Sequence, residues 1–307
     1  MQSKKHLIYT NGNIERHSEK RTDTDFVKEK AGSGLVLPIW KNLNLIERVN
    51  GRLRLQFLPS NVLQNITTGH SSYLGEWQGN SIQATEVIEE KELTEFISEY
   101  CEFADIRTIS KQLDNEAASI GAFARGIIYW HQTHQYCHRC GTFSQSIEAG
   151  HARKCSNSEC GHIYYPRISP AVIVLIEHRP KNGEPICLLG KAGHYPDKMR
   201  STLAGFVEIG ESLEEAVVRE MKEESGLEVE NVRYIASQPW PFPSSLMVGF
   251  FAESKTTQLQ LAPNEVSDAQ WYTRDEIKEL VSQGELILSK EDSIARFLIE
   301  MWVNATP

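Results

Sequence analysis

The chain has 307 residues, 40% of them hydrophobic, which is enough for two domains with real cores. Its formal charge of -9 argues against a general nucleic-acid binder, whose affinity rests on Lys and Arg neutralising phosphates, but leaves recognition of RNA ends open. No apolar run approaches the length of a membrane span, the N-terminus M-Q-S-K-K-H leads into a polar stretch, and N-A-T-P at the other end is no peroxisomal or retention signal, so a cytoplasmic protein without a membrane partner is expected.

Residues 1–30 are polar, charged and aperiodic, which leaves their order open. From Gly34 to Val87, short apolar runs (L-V-L-P-I-W, L-R-L-Q-F-L, Y-L-G-E-W) alternate with turn residues and predict a small sheet. Leu93–Tyr100 and Ile109–His134 read as helices. The second leads into Cys137, Cys140, Cys155 and Cys160, spaced C-H-R-C and C-S-N-S-E-C. In a reducing compartment, two such knuckles point to four thiolates around one structural Zn²⁺ rather than to disulfides. The second pair is wider than the usual C-x2-C, so His138, His151 or His162 stays open as a substitute for one cysteine. Cys101 and Cys187 have no such partners, and Cys187, in P-I-C-L-L-G, reads as a buried thiol.

After the knuckles, the β-branched run 168–177 predicts a buried strand. Further strands are expected at 187–191, 203–206, 232–236, 246–252 and 269–273, with one helix between the second and third of them and others from Asp275 and Ser293. The pattern is a mixed sheet with a helix on each face. The last helix carries Ile294, Phe297, Leu298, Met301 and Trp302 on one stripe, suited to the core or to a dimer contact.

Residues 205–227 read G-F-V-E-I-G-E-S-L-E-E-A-V-V-R-E-M-K-E-E-S-G-L. Ser212 as N-cap with Glu215 as its capping-box partner starts a helix, and Gly226 ends it. Leu213, Ala216, Val217 and Met221 then face inward, while Glu220, Glu223 and Glu224 share the opposite face. Carboxylates stacked so closely repel and call for cations. Arg219 is placed to pair with Glu211 or Glu223. Downstream, S-Q-P-W-P-F-P-S-S (237–245) has three prolines that argue against a ladder strand or helix, so a stiff loop is expected. It would offer the faces of Trp240 and Phe242 and hydrogen bonds from Gln238 and the serines. Glu265, in N-E-V-S-D-A-Q-W, reads by itself as a solvated glutamate.

The spacing G, five residues, E, seven residues, R-E, an aliphatic, any residue, E-E, any residue, G, an aliphatic resembles the signature of the Nudix hydrolases without a departure. The S-Q-P-W-P-F-P-x-S segment resembles the mark of their NADH pyrophosphatase branch, whose members cut NAD(H) to nicotinamide mononucleotide and AMP. The resemblance implies an α/β fold in three parts. A smaller α+β Nudix-like domain without a box spans 1–130, a zinc ribbon 131–166, and a catalytic α/β/α sandwich with a mixed sheet 167–307.

It also implies a site. Glu220, Glu224, Glu265 and the carbonyl of Ala204 would ligate two or more Mg²⁺ or Mn²⁺ ions, with Glu223 supporting them or accepting the proton of the attacking water. Phe206 would stack on the nicotinamide, Tyr165 would reach the same ring from the partner in a homodimer, and Gln238 and Ser245 would bond the nucleotide. Tyr164 is the residue most readily confused with Tyr165. Expected substrates are NAD(H) or a related dinucleotide and NAD-capped RNA 5′ ends. A broader pyrophosphatase of nucleoside-diphosphate-linked compounds and a non-catalytic nucleotide sensor are the alternatives, and the intact carboxylate set speaks against the sensor.

Overall fold

The computed structural model describes residues 7–193 and 195–305. The first six residues and the last two, on which much of the reading of the chain ends rested, lie outside them. The chain forms two compact units, one of residues 8–167 with 241–244 and one of Leu7, 168–240 and 245–305.

The first unit is built on a seven-stranded sheet. Its main path runs Arg52–Leu55, Leu43–Val49, Leu35–Trp40, Asn80–Val87, Thr68–Trp77, with Leu58–Pro59 and Cys101–Ala104 paired at its side. Leu35–Trp40 and Asn80–Val87 run parallel. The helices are α1 (Thr24–Ser33), α2 (Ile106–Ile109) and α3 (Asn115–Thr133). Helix α1 corrects the aperiodic reading of 1–30, because Asp23 caps it by accepting from the amides of Asp25 and Phe26. The helix expected at 93–100 is not formed. Only a 3-10 turn, Glu90–Leu93, precedes the strand Cys101–Ala104. So short a segment cannot offset helix nucleation alone, and Ser98 bonds the amide of Tyr100 instead. The long helix expected from Ile109 starts later, at Asn115, where Asp114 accepts from the amide of Ala117.

The ribbon is a small sheet of Ser144–Ile147, Ala152–Cys155 and Ile163–Tyr164. Arg153, almost wholly buried, donates to the Ser144 carbonyl at 2.6 Å and to the Ser144 hydroxyl and His131 Nδ1 at 2.8 Å. Because His131 Nδ1 accepts, its Nε2 carries the proton and donates to the Gly150 carbonyl at 2.8 Å. Burial holds His131 neutral by lowering its pKa to about 4.

The second unit holds a six-stranded mixed sheet. Its path runs Val229–Trp240, Ser245–Ser254, Ser169–His178, Ile186–Ala192, Val266–Thr273, with Leu203–Phe206 also paired to Ser169–His178. Ser169–His178 and Ser245–Ser254 run parallel. Successive residues of the central strand serve opposite faces. Val172, Val174 and Ile176 pack with Ala216, Val217 and Met221 of α4 (Leu213–Ser225). Ile173 and Leu175 pack with Ile277 of α5 (Arg274–Gln283) and with Ile294, Leu298 and Trp302 of α6 (Ile294–Val303). The expected sandwich is thus formed. The stripe on α6 is core rather than a free contact surface, although Met301 stays exposed.

The proline segment departs from the expected loop. Ser237–Trp240 continue the strand Val229–Trp240, with Pro239 opposite Leu246. This strand forms an end of the sheet path, where a residue without an N–H is tolerated because one side of the strand has no ladder to complete. Phe242 is buried, with Tyr9 edge-on to its ring and the Arg125 guanidinium over its face. It is therefore no free face for a ligand.

Candidate active site and metal centre

The acidic face is held in place by local chemistry. Ser212 accepts from the Glu215 amide while the Glu215 carboxylate accepts from the Ser212 amide, so the predicted capping box is formed. Gly226 closes α4 in the left-handed conformation, φ +75°. The loop after Ser245–Ser254 is tied to this end, with the Gln260 amide on the Ser225 carbonyl at 2.8 Å and the Ala262 amide on the Glu224 carbonyl at 3.1 Å. A turn through Ala262 then sets Glu265 at the start of Val266–Thr273.

Arg219 is the hub of the site. It donates to both Glu211 oxygens at 2.5 and 2.9 Å, to Glu223 at 3.0 Å and to the Phe206 carbonyl at 2.9 Å, and it lies 2.9 Å from Glu220. The guanidinium beside Glu211 holds that carboxyl down to about 2. Arg219 therefore fixes both the carboxylate row and the backbone that presents Phe206. The box pairings were legible in the sequence. The bond to the Phe206 carbonyl was not, since it joins a helix to a strand.

Glu220 and Glu224 are buried, whereas Glu223 and Glu265 are exposed. Glu220 lies over Gly205, where an added Cβ would come within 1.9 Å of the Glu220 carboxyl carbon, so the strand must carry glycine there. Burial, then Glu220 and Glu265, push Glu224 up to about 8, against a backbone hydrogen bond from Ala204 that lowers it. Burial likewise raises Glu220, with Glu223 and Glu265 adding to it and Arg219 opposing. These shifts bring Glu265, remote in sequence, into the same field as the helix carboxylates. Glu224 Oε2 is enclosed with no hydrogen-bond donor among the described residues. A buried carboxylate oxygen without a donor, crowded by two further carboxylates, suits a hard divalent cation, and the residues fit one.

The nucleotide candidates divide. Phe206 is 60% exposed beside this cluster. Ser245, half-buried, starts its strand opposite Trp240 and Ser169. Tyr165, in the other unit, is exposed, while Tyr164 is buried with its hydroxyl on the His134 carbonyl at 2.8 Å. Gln238 is a correction. It has no exposed surface, its amide nitrogen donates to the Asp292 carbonyl at 2.7 Å, and its oxygen accepts from the Ile294 amide at 2.8 Å. It braces the start of α6 and presents nothing to a ligand. Gln238→Ala should lower unfolding free energy by about 3 kcal/mol, because it strands buried backbone groups, and leave KM for a dinucleotide unchanged. Denaturant midpoints with steady-state kinetics check this.

The four knuckle cysteines converge. Their sulfurs all lie within 4.8 Å of one another, with Cys137 to Cys160 at 3.9 Å and Cys140 to Cys155 at 3.4 Å. Sulfurs around a tetrahedral zinc stand about 3.8 Å apart, given Zn–S bonds of ~2.3 Å. Among the described residues no cysteine is in a disulfide. Hydrogen bonding from Thr142 holds the Cys140 thiol down to about 6, toward the thiolate that zinc binds. None of the histidine substitutes joins the cluster. His138 and His162 face each other at 3.0 Å, and His151 is bonded to the Tyr73 carbonyl.

Residues 167–291 match the family described as NUDIX domain, and residues 33–130 match the NADH pyrophosphatase-like rudimentary NUDIX domain. The chain is 37% identical over 205 residues to the NAD-capped RNA hydrolase NUDT12 of Homo sapiens, covering 64% of this chain and 44% of that one. It is thus similar to somewhat less than half of the human protein's length. The NAD-capped RNA hydrolase NudC of Mycobacterium bovis (strain BCG / Pasteur 1173P2) is 38% identical over 210 residues, 66% of this chain and 65% of its own. The NudC of Pseudomonas aeruginosa (strain LESB58) is 37% identical over 230 residues, 75% of this chain and 76% of its own. With the box, the rudimentary domain and the cysteine ribbon all in place, this chain belongs to the Nudix hydrolase family, in its NADH pyrophosphatase branch.

Proposed function

We propose that this protein hydrolyses the diphosphate of NAD(H) to nicotinamide mononucleotide and AMP, and the same linkage at the 5′ end of NAD-capped RNA. The observation that carries the reading is the buried pair Glu220 and Glu224, with an oxygen of Glu224 that no donor among the described residues satisfies. The names of the NudC and NUDT12 relatives support the substrate class. Glu220, Glu224, Glu265 and the Ala204 carbonyl would hold two or more Mg²⁺ or Mn²⁺ ions. When bound, such ions neutralise the diphosphate oxygens and acidify an attacking water.

The chain's own groups do the rest. Arg219 keeps the carboxylates in register, and exposed Glu223 would support the metal ligands or take the water's proton. The Phe206 ring supports the nicotinamide, Tyr165 from a second copy covers it, and Ser245 bonds the nucleotide. We infer a cytoplasmic homodimer with one structural Zn²⁺ per chain, the zinc supported by four cysteine sulfurs within 4.8 Å of one another. No described helix is long and apolar enough to cross a membrane.

Steady-state rates on NADH, NAD, ADP-ribose and NAD-capped RNA, each with Mg²⁺ or Mn²⁺, test the proposal. Failure to cleave any nicotinamide substrate would overturn it. Phe206→Ala should cost nicotinamide dinucleotides about 1 kcal/mol or more of binding and ADP-ribose much less, because only the former have a base for this ring to support. Equal losses would remove Phe206 from the nicotinamide subsite.

A further inference from the structure

The segment before α1 is laid against Thr68–Trp77, the strand at one end of the first unit's sheet path. Glu15 and Glu76 exchange backbone hydrogen bonds of 2.9 and 2.8 Å. The approach is so close that a Cβ on Gly75 would come within 2.3 Å of the Glu15 carbonyl oxygen, and Gly75 takes φ +140° there. This pairing brings both carboxylates to His17, whose side chain is only 11% exposed. One ring nitrogen of His17 and one oxygen of each glutamate all lie within 4.8 Å of one another.

Spacing inside this cluster decides what it can hold. His17 Nε2 is 3.6 Å from Glu76, and Nδ1 is 3.6 Å from Glu15 and 3.9 Å from Glu19. A protonated imidazole hydrogen-bonded to a carboxylate would close to about 2.7–2.9 Å. Two ligands of one tetrahedral ion, with bonds of ~2.1 Å, stand about 3.4 Å apart, which is nearer to what is seen. Nε2 is enclosed and has no hydrogen-bond partner among the described residues. With the ring proton on Nδ1, facing Glu15 and Glu19, the Nε2 lone pair is directed toward Glu76, the arrangement in which a carboxylate orients a metal-ligating histidine. The Phe26 ring meets the His17 ring edge-on, with centres 5.6 Å apart.

Neighbouring cations leave room for an ion. Lys30 Nζ is 2.6 Å from Glu76 Oε1, so Oε2 stays available, and this contact holds the Glu76 carboxyl below its ordinary pKa. Lys20 lies over the Phe26 ring at 5.1 Å, and Arg21 acts on Glu19 at longer range. Glu15, Glu19 and Glu76 still outnumber Lys30 and Arg21.

We propose that His17, Glu15 and Glu76 form a second metal site, for a divalent transition ion such as Zn²⁺, which pins the segment before α1 to the sheet of the rudimentary domain. An imidazole beside two carboxylates favours such ions over Mg²⁺. Three protein ligands leave a position to water, so this site binds more weakly than the four-cysteine ribbon and fills only when metal is added.

The test uses the full chain with its ribbon zinc in place, and Zn²⁺ as the probe. Glu224→Gln is the parent, because it removes a ligand from the catalytic carboxylates. Calorimetry, with elemental analysis after equilibrium dialysis, should find one zinc beyond the ribbon's that depends on His17 and resists excess Mg²⁺. His17→Ala should weaken its binding about tenfold or more, and Glu15→Gln, at an exposed residue, should weaken it as well. Added Zn²⁺ should slow tryptic cleavage after exposed Lys20 in the parent and not in His17→Ala. In the otherwise wild-type chain, His17→Ala should leave NADH turnover unchanged. Zinc uptake that His17→Ala and Glu15→Gln leave intact would overturn the proposal. Absence of uptake beyond the ribbon's would also overturn it, and a melting temperature lowered by His17→Ala would then assign the cluster to ion pairs around a protonated ring.

Discussion

Glu224→Gln should lower kcat by ~10³ or more on every diphosphate substrate, because it removes a charge that matters most as the phosphorus centre is attacked. The fold should survive, since the amide fills the same space in the buried site. Two readouts separate a metal role from a packing role. Mg²⁺ or Mn²⁺ should raise the melting temperature of the wild type and have little effect on the variant. In metal-free wild type, the Glu224 carboxyl titrates at about 8 against an ordinary 4.5, so the native state binds the proton more tightly than the unfolded chain. Its contribution to stability is full below pH ~4.5 and is lost as pH rises through about 8, a slope that the Gln variant should lack. Wild-type turnover in the variant would end the metal assignment.

Loss of the ribbon metal should have a larger effect on folding than on chemistry. Purified without added metal, the protein should carry one zinc per chain by elemental analysis. Cys137→Ser should leave three sulfurs around the ion and lower the melting temperature by ~10 °C or more, because structural zinc contributes folding free energy directly. Cys137 is buried, so its replacement cannot be relieved by solvent. Zinc-free protein with an unchanged melting transition would refute this assignment.

The parts of the site that sequence made legible are those encoded within a few residues of one another. The capping box at Ser212, the left-handed Gly226, the Arg219 pairings along α4 and the two cysteine knuckles all follow from local spacing. Glu265 was different, because nothing around it distinguishes it from a solvated glutamate. Only the family resemblance pointed to it, and the structure puts it in the electrostatic field of Glu220 and Glu224.

Errors arose where tertiary contacts decide what a side chain does. Gln238 sits in a segment whose composition suggests ligand binding, yet its partners Asp292 and Ile294 are more than fifty residues away. Pro239 extends a strand because that strand is an edge, and edge position is a property of the sheet order. Helix α1 depends on one aspartate cap in a stretch with no apolar period to announce it.

The bonds of Arg153 bear on how this architecture can be taken apart. Its guanidinium spans from the ribbon strand to His131 on α3, and neighbouring His151 holds the Tyr73 carbonyl of the larger sheet. A ribbon excised without α3 would leave a buried cation without its histidine, and a substitute without Arg153 would leave His131 Nδ1 and the Ser144 carbonyl without their guanidinium donor in the interior. Here the ribbon belongs to the unit of residues 8–167 with 241–244, so swapping ribbons between relatives requires moving at least the preceding domain with them.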